Sequence, residues 1–211
     1  MPEKFIVFDL DGTISNPKDG IVRSLNYALE AYDFEKRAES ELTPCIGPPL
    51  DQSFRELTGS DDQQLIVSLV EKYRERYTEV GFSENVLYEG IVDSLEALVA
   101  CFPLAICTSK RVDFAHSILE LFELTHLFQE VSGGDIGISK TQQLAGLLER
   151  KVIDGQSIMV GDRYADMIGA RENQLGAIGV LWGFGDFNEL QRESPMMIIE
   201  HPSELPLRIT E

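Results

Sequence analysis

The stretch that decides the fold is "KFIVFDLDGT", residues 4–13. An apolar run rich in aromatic and β-branched residues ends in Asp9 and Asp11, one residue apart, then Gly12 and Thr13. The apolar part reads as a central parallel strand covered on both faces. Two like charges at its tip repel each other unless a cation sits beside them. Gly12 allows the chain to turn close to a bound group. A plain surface turn accounts for "DG" but not for its abrupt attachment to a buried strand.

Working outward, "GIVRSLNYALEAY" places Ile21, Leu25, Ala28, Leu29 and Tyr32 at helical spacing. Three prolines and a glycine within residues 43–50 break that pattern. "DQSFRELTG" predicts a short helix closed by Gly59, and a longer helix follows with Ser60 as its N-cap, ending at Gly81. No strand is expected in this section. From residue 87 the pattern alternates: helix "YEGIVDSLEALVACF", strand Leu104 to Cys107, helix "DFAHSILELFEL", strand "LFQEVSGG", helix "SKTQQLAGLLER", strand "SIMVGD", helix "RYADMIGARENQ", strand "AIGVLWG" and an edge strand "MMIIE". Strands alternating with helices predict βαβ units and a Rossmann-like α/β fold, mostly parallel, with helices on both faces. Residues 1–14 and 86–211 are the expected α/β core, and residues 15–85 an inserted α-helical unit. Strands ending in Asp9, Thr108, Gly161 and Asp162 predict that polar groups gather at one sheet edge, where open α/β sheets bind ligands.

The second acidic element is "GDRYADMIGA". With a helix starting at Arg163, Asp162 and Asp166 lie about one turn apart on one side. Taken singly, Asp162 is an ordinary helix cap and Asp166 an ordinary first-turn acid. Together with Asp9 and Asp11 they make an oxygen-lined site for a hard divalent cation, best suited to Mg²⁺.

Composition bounds the function. The formal net charge of −18 in 211 residues disfavours nucleic acid and anionic membranes as partners. An anionic substrate then needs local positive charge, which a bound metal supplies. No apolar run approaches the ~20 residues of a membrane span. The first strand follows the N-terminus at once, so no signal peptide is expected. Cys45, Cys101 and Cys107 are odd in number and lack CxxC spacing; they read as free thiols of a reducing cytoplasm, the last two packed beside a strand.

"FDLDGT", "ICTSK", Lys140 and "GDRYAD", in this order and at these distances, resemble the haloacid dehalogenase superfamily of phosphotransferases over nearly the whole chain. "CIGPPLDQSF" and "WGFGD" (residues 182–186) resemble its phosphoglycolate phosphatase-like branch, in which a small helical cap closes over the site. The resemblance implies a Mg²⁺-dependent phosphatase acting on a small phosphorylated metabolite. Asp9 would be the nucleophile and a metal ligand. Asp11 would be the general acid and base and would lend its carbonyl to the metal. Thr108, with the Ser109 amide nearby, would hold phosphate. Lys140 would neutralise charge, with Lys110 as a rival for that role. Asp162 and Asp166 would complete the metal shell. Gly12, Thr13, Gly47, Pro48 and Arg23 are further candidates for contact with phosphate or substrate.

Two departures stand out: Asn16-Pro17 replaces a frequent Asp-Ser, and Thr141 replaces the proline that usually follows the lysine. Phosphoglycolate, a nucleoside monophosphate and a sugar phosphate all remain open as substrates. A phosphomutase of the β-phosphoglucomutase kind would share every catalytic residue named. A dehalogenase is disfavoured, because Asp11 has no task in displacing halide. A phosphate-binding or regulatory protein with an idle site is the non-enzymatic alternative. Nothing in the pattern sets an oligomeric state.

Overall fold

The computed structural model describes residues 4–135 and 137–210. The expected immediate entry into the first strand is described from Lys4 on; residues 1–3 lie outside the described residues. The elements in chain order are β1 (Ile6–Phe8), β2 (Ser15–Asn16), α1 (Lys18–Ala31), α2 (Glu39–Leu42), α3 (Leu50–Thr58), α4 (Gln63–Glu79), β3 (Val86–Leu87), α5 (Ile91–Val99), β4 (Leu104–Thr108) and α6 (Val112–Leu121). After them come β5 (Phe128–Gly133), α7 (Lys140–Glu149), β6 (Ile158–Gly161), α8 (Tyr164–Glu172), β7 (Gly176–Val180), α9 (Phe187–Arg192), β8 (Met197–Ile199) and α10 (Leu205–Thr210).

Six strands form one sheet in the order β5-β4-β1-β6-β7-β8, every pairing parallel. The period-2 alternation of strand side chains divides its apolar residues between two faces. Ile6 and Phe8 of β1 join Leu104, Ile106, Ile158, Val160, Ile178 and Val180 in one buried cluster, covered by α5, α6 and α10. Val7 joins Ala105, Cys107, Met159 and Ala177 in a second, covered by α7, α8 and α9. This is the α/β fold expected, with "FIVF" central and buried on both faces. β1 lies between β4 and β6, with Val7 opposite both Ala105 and Met159. The strand order reverses here, the position where such sheets open a crevice at their C-terminal edge.

Residues of α1 to α4 bury a third apolar cluster around Leu25, Leu29, Phe54, Leu69 and Tyr77, joined by Phe114 of α6. Four local expectations are corrected. The section does contain strand: β2 pairs antiparallel with β3, Ser15 opposite Leu87, tying together the two chain crossings. The N-cap of α4 is Asp62, whose carboxylate accepts from the Gln64 amide, while Ser60 accepts from the Asp62 amide one step earlier. Tyr32 follows the end of α1 and is exposed, outside the stripe of Ile21, Leu25, Ala28 and Leu29. Gly59 does close α3, at φ 66°. The three cysteines are free; Cys45 and Cys107 are buried, but Cys101 is exposed in the turn before β4 rather than packed beside a strand. Among the described residues no helix is long and apolar enough to cross a membrane.

Helix α1 enters at a close approach. A Cβ on Gly20 would stand 2.1 Å from the carbonyl oxygen of Gly81. Because that neighbour is backbone, it cannot rotate away. Gly20→Ala is therefore expected to lower stability by about 1–3 kcal/mol, the usual cost of overpacking, read as a fall in the midpoint of thermal or urea unfolding. An unchanged midpoint would contradict this packing.

Candidate active site

Three strand ends build the site. The amide of Asp9 donates to the Val160 carbonyl at 2.9 Å, continuing the β1–β6 ladder by one residue and fixing Asp9 at the rim. The chain then turns sharply: the amides of Thr13, Ile14 and Ser15 all donate to the Leu10 carbonyl, and that of Gly12 to the Ser15 carbonyl. Gly12 adopts φ 87°, and a Cβ there would fall 2.1 Å from the Asp162 Oδ2. Glycine is required on both counts.

Asp162 follows β6 and is fully buried. Its Oδ1 accepts from the Thr13 hydroxyl at 3.3 Å and its Oδ2 from the Phe184 amide at 2.8 Å. Asp166, also fully buried, accepts from the Arg163 amide at 3.0 Å through Oδ2, while Oδ1 meets the ammonium of Lys140. It is thus both the first-turn cap of α8 and a member of the site. Lys140, first residue of α7, places its Nζ 3.0 Å from Asp9 Oδ2 as well. Carboxylate oxygens of Asp9, Asp162 and Asp166 all lie within 4.8 Å of one another. The Asp11 carboxylate points elsewhere, its Oδ2 2.8 Å from the Nζ of Lys110.

The crevice above these groups encloses about 710 Å³ including its mouth. Asp9, Asp11, Thr108 and Ser109 line it from the sheet edge; Gly47, Pro48, Tyr73 and Tyr77 line it from the helical section. The Thr108 hydroxyl accepts from the Lys110 amide at 3.2 Å, leaving its own proton to donate.

The sequence pattern of the haloacid dehalogenase-like hydrolases matches residues 6–180. The chain belongs to this family. A 5′-nucleotidase of Pseudomonas aeruginosa is 36% identical over 197 residues, covering 90% of this chain and 88% of that protein. A phosphoglycolate phosphatase of Agrobacterium fabrum is 29% identical, covering 95% of this chain and 90% of that protein. Among solved structures, a predicted phosphatase of Clostridium acetobutylicum superposes with a TM-score of 0.93 at 33% identity, covering 100% of this chain and 99% of the other. The protein is accordingly a phosphatase of the haloacid dehalogenase type, a phosphoric monoester hydrolase.

For a member of this family, the electrostatics are informative. Burial pushes the Asp162 carboxyl well above the usual carboxylate range, reinforced by the neighbouring charges of Asp166 and Asp9. Burial raises Asp166 to about 6, against the pull of Lys140. Burial also raises Asp11, with Lys110 opposing. For Lys140, burial alone would favour the neutral amine, but Asp166 and Asp9 outweigh it and hold the ammonium. Four carboxylates thus face two ammonium groups, an imbalance that one divalent cation corrects. The donors fit such an ion: they are hard oxygens, buried and convergent. The family's use of a divalent metal agrees with this set.

The structure separates the two lysines that the sequence left in competition: Lys140 touches Asp9, whereas Lys110 holds Asp11. It also relocates two other candidates. Arg23 is an exposed residue of α1 paired with Asp19 and Glu84, and it does not line the crevice. Thr13 is fully buried and spends its hydroxyl on Asp162. Residues that sequence reasoning missed include Trp182, whose indole donates to the Thr13 carbonyl at 2.9 Å, and Phe184 and Gly183, which close over Asp162. Their signal was present in "WGFG", which reads from sequence as either a strand exit or a substrate loop.

The three raised carboxyls set a sign for stability. Each folded-state pKa lies above its unfolded value near 3.8. Their contribution is most favourable below that value and is lost as pH rises through the folded pKa. A divalent cation binds the ionised form and reverses the loss. The rise in melting temperature on adding Mg²⁺ is therefore expected to be larger at about pH 7.5 than at about pH 5, where protons compete. An equal rise at both, or none, would contradict the site.

Proposed function

We propose that this chain hydrolyses a small phosphate monoester in the presence of Mg²⁺, through an aspartyl-phosphate on Asp9. One observation carries the reading: Asp9 sits at the floor of the crevice with Lys140 on one oxygen and two further buried carboxylates beside it. An aspartate approaches a phosphate dianion only where positive charge offsets their repulsion. Lys140 supplies one part. A divalent cation held by Asp9, Asp162 and Asp166, with the Asp11 carbonyl, supplies the rest when bound by stabilising charge on the phosphoryl oxygens.

In the first step a carboxylate oxygen of Asp9 bonds to phosphorus as the ester P–O bond breaks, and Asp11 gives its proton to the departing oxygen. In the second, Asp11 takes a proton from water, the water oxygen bonds to phosphorus, and the P–O bond to Asp9 breaks. Thr108 and the Ser109 amide donate to phosphate oxygens. Residues 15–85 act as a cap over the 1–14 and 86–211 core. Supporting this, the helical section supplies Gly47, Pro48, Pro49, Leu50, Tyr73 and Tyr77 to the same crevice as Asp9.

Within this class, a nucleoside monophosphate is the favoured substrate. The cations lining the crevice are each engaged already: Lys110 by Asp11, Arg74 by Asp135 and Arg111 by Asp113. Among the described residues none of the crevice's cations is left over for the carboxylate of a short acid such as phosphoglycolate. Ile21, Leu50, Tyr73, Tyr77 and Phe114 instead offer an apolar wall suited to a planar base. The identity to a 5′-nucleotidase supports the same choice.

The test is release of inorganic phosphate, with Mg²⁺ and no activating bisphosphate, from nucleoside monophosphates, phosphoglycolate and hexose phosphates. Nucleotides are expected to turn over fastest, and Asp9→Asn to lose at least about a thousandfold in kcat, as removal of a covalent nucleophile does. Equal turnover by wild type and Asp9→Asn would overturn the chemistry. Phosphate release only with a bisphosphate present would indicate a mutase, and preference for phosphoglycolate would overturn the substrate choice.

A further inference from the structure

A buried polar chain leads from the sheet edge into the helical section. Asp11 Oδ2 lies 2.8 Å from Lys110 Nζ, and the same Nζ donates to the Tyr77 hydroxyl at 2.8 Å. The ammonium also lies 4.4 Å from the centroid of the Tyr77 ring. Asn85 donates to the Tyr77 hydroxyl at 3.4 Å and to the Phe82 carbonyl at 2.9 Å, and accepts from the Ser15 hydroxyl at 3.0 Å. Ser15 begins β2 and Asn85 immediately precedes β3, so the chain ends at the ribbon where both crossings into the helical section meet.

Two elements thus converge on one carboxylate, the second acting through the first. Lys110 comes from the loop after β4, and its side chain is 7% exposed. Tyr77 comes from α4 and is 1% exposed. Among the described residues, the other Asp11 oxygen, Oδ1, is buried with no hydrogen-bond partner. A buried carboxylate oxygen without a partner is costly, and a ligand that supplies the missing contact removes the cost. Lys110 engages Oδ2, which leaves Oδ1 as the unpartnered oxygen of a residue that lines the crevice.

We propose that Lys110 and Tyr77 are positioning residues for Asp11. Lys110 holds the carboxylate in the orientation that presents Oδ1, and Tyr77 makes that hold depend on α4 being docked against the sheet edge. The acid–base group is then in place only when the helical section covers the crevice and water is excluded. The inference rests on the phosphatase reading above, in which Asp11 serves the leaving oxygen.

The test compares an alkyl phosphate, whose leaving oxygen needs a proton, with p-nitrophenyl phosphate, whose phenolate leaves without one. Asp11→Asn calibrates it by lowering kcat/KM for the alkyl ester far more than for the aryl ester. Tyr77→Phe keeps the ring and removes only the hydroxyl. It is expected to lower kcat/KM for the alkyl ester about tenfold more than for the aryl ester, a moderate part of what a general acid contributes. Lys110→Met should show the same split, and Tyr77→Phe should add little on that background, since residues acting through one another are not additive. Melting curves accompany each variant; Tyr77→Phe, being nearly isosteric, is the informative one if Lys110→Met melts early. Equal losses on both esters, or additive effects of the two substitutions, would overturn the inference while leaving the acid role of Asp11 intact. An Asp11→Asn variant with no such split would overturn that role and the inference with it.

Discussion

The constraint on which the rest depends is the burial, among the described residues, of four carboxylates beside two ammonium groups. Asp9, Asp11, Asp162 and Asp166 are each at most 7% exposed. Among the described residues, Lys110 pairs with Asp11, and Lys140 with Asp9 and Asp166. Burying unpaired charge costs several kcal/mol per ion even after relaxation, and no folding benefit explains gathering it here. The raised carboxyls of Asp11, Asp162 and Asp166 express the same conflict. The proposed reading resolves that conflict by uptake of a cation and an anion together: a divalent metal for the acids, a phosphate for the metal and Lys140.

The fold meets this constraint by placing apolar and polar residues on different coordinates. Along each strand, alternation sends side chains to two apolar faces. At the strand ends the pattern stops, and Asp9, Thr108 and Asp162 emerge at one edge, around the point where strand order reverses. Glycines make the close approaches possible: a Cβ on Gly12 or Gly183 would collide with Asp162 itself. The pocket that holds Asp162 is therefore fixed by backbone from two distant segments, with little freedom to drift.

Much of this was legible in the sequence because its signals are local. "FIVFDLDG" joins a buried strand to two acids within a few residues, and "GDRYAD" sets two acids one turn apart. Both kinds of spacing survive folding unchanged. The pairing of Lys110 with Asp11 was not legible, since 99 positions separate them and any lysine after "TS" has the same local pattern. Nor was Tyr77, which stands in α4 where an apolar stripe accounts for it equally well. The N-cap of α4 was misplaced by two residues because Ser60 and Asp62 are both good caps, and only tertiary geometry chooses between them. Arg23 reads from sequence as either a substrate-contacting cation or, on balance, a solvated helix face; its two carboxylate partners, Asp19 and Glu84, are what the sequence could not show together.

The most direct measurement is anomalous diffraction from crystals grown with Mn²⁺ in place of Mg²⁺. The account predicts one strong peak per chain, bounded by carboxylate oxygens of Asp9, Asp162 and Asp166, and absent in Asp162→Asn. A peak on the far side of Lys140 from these acids, or no bound ion while the protein still hydrolyses phosphate esters, would contradict it.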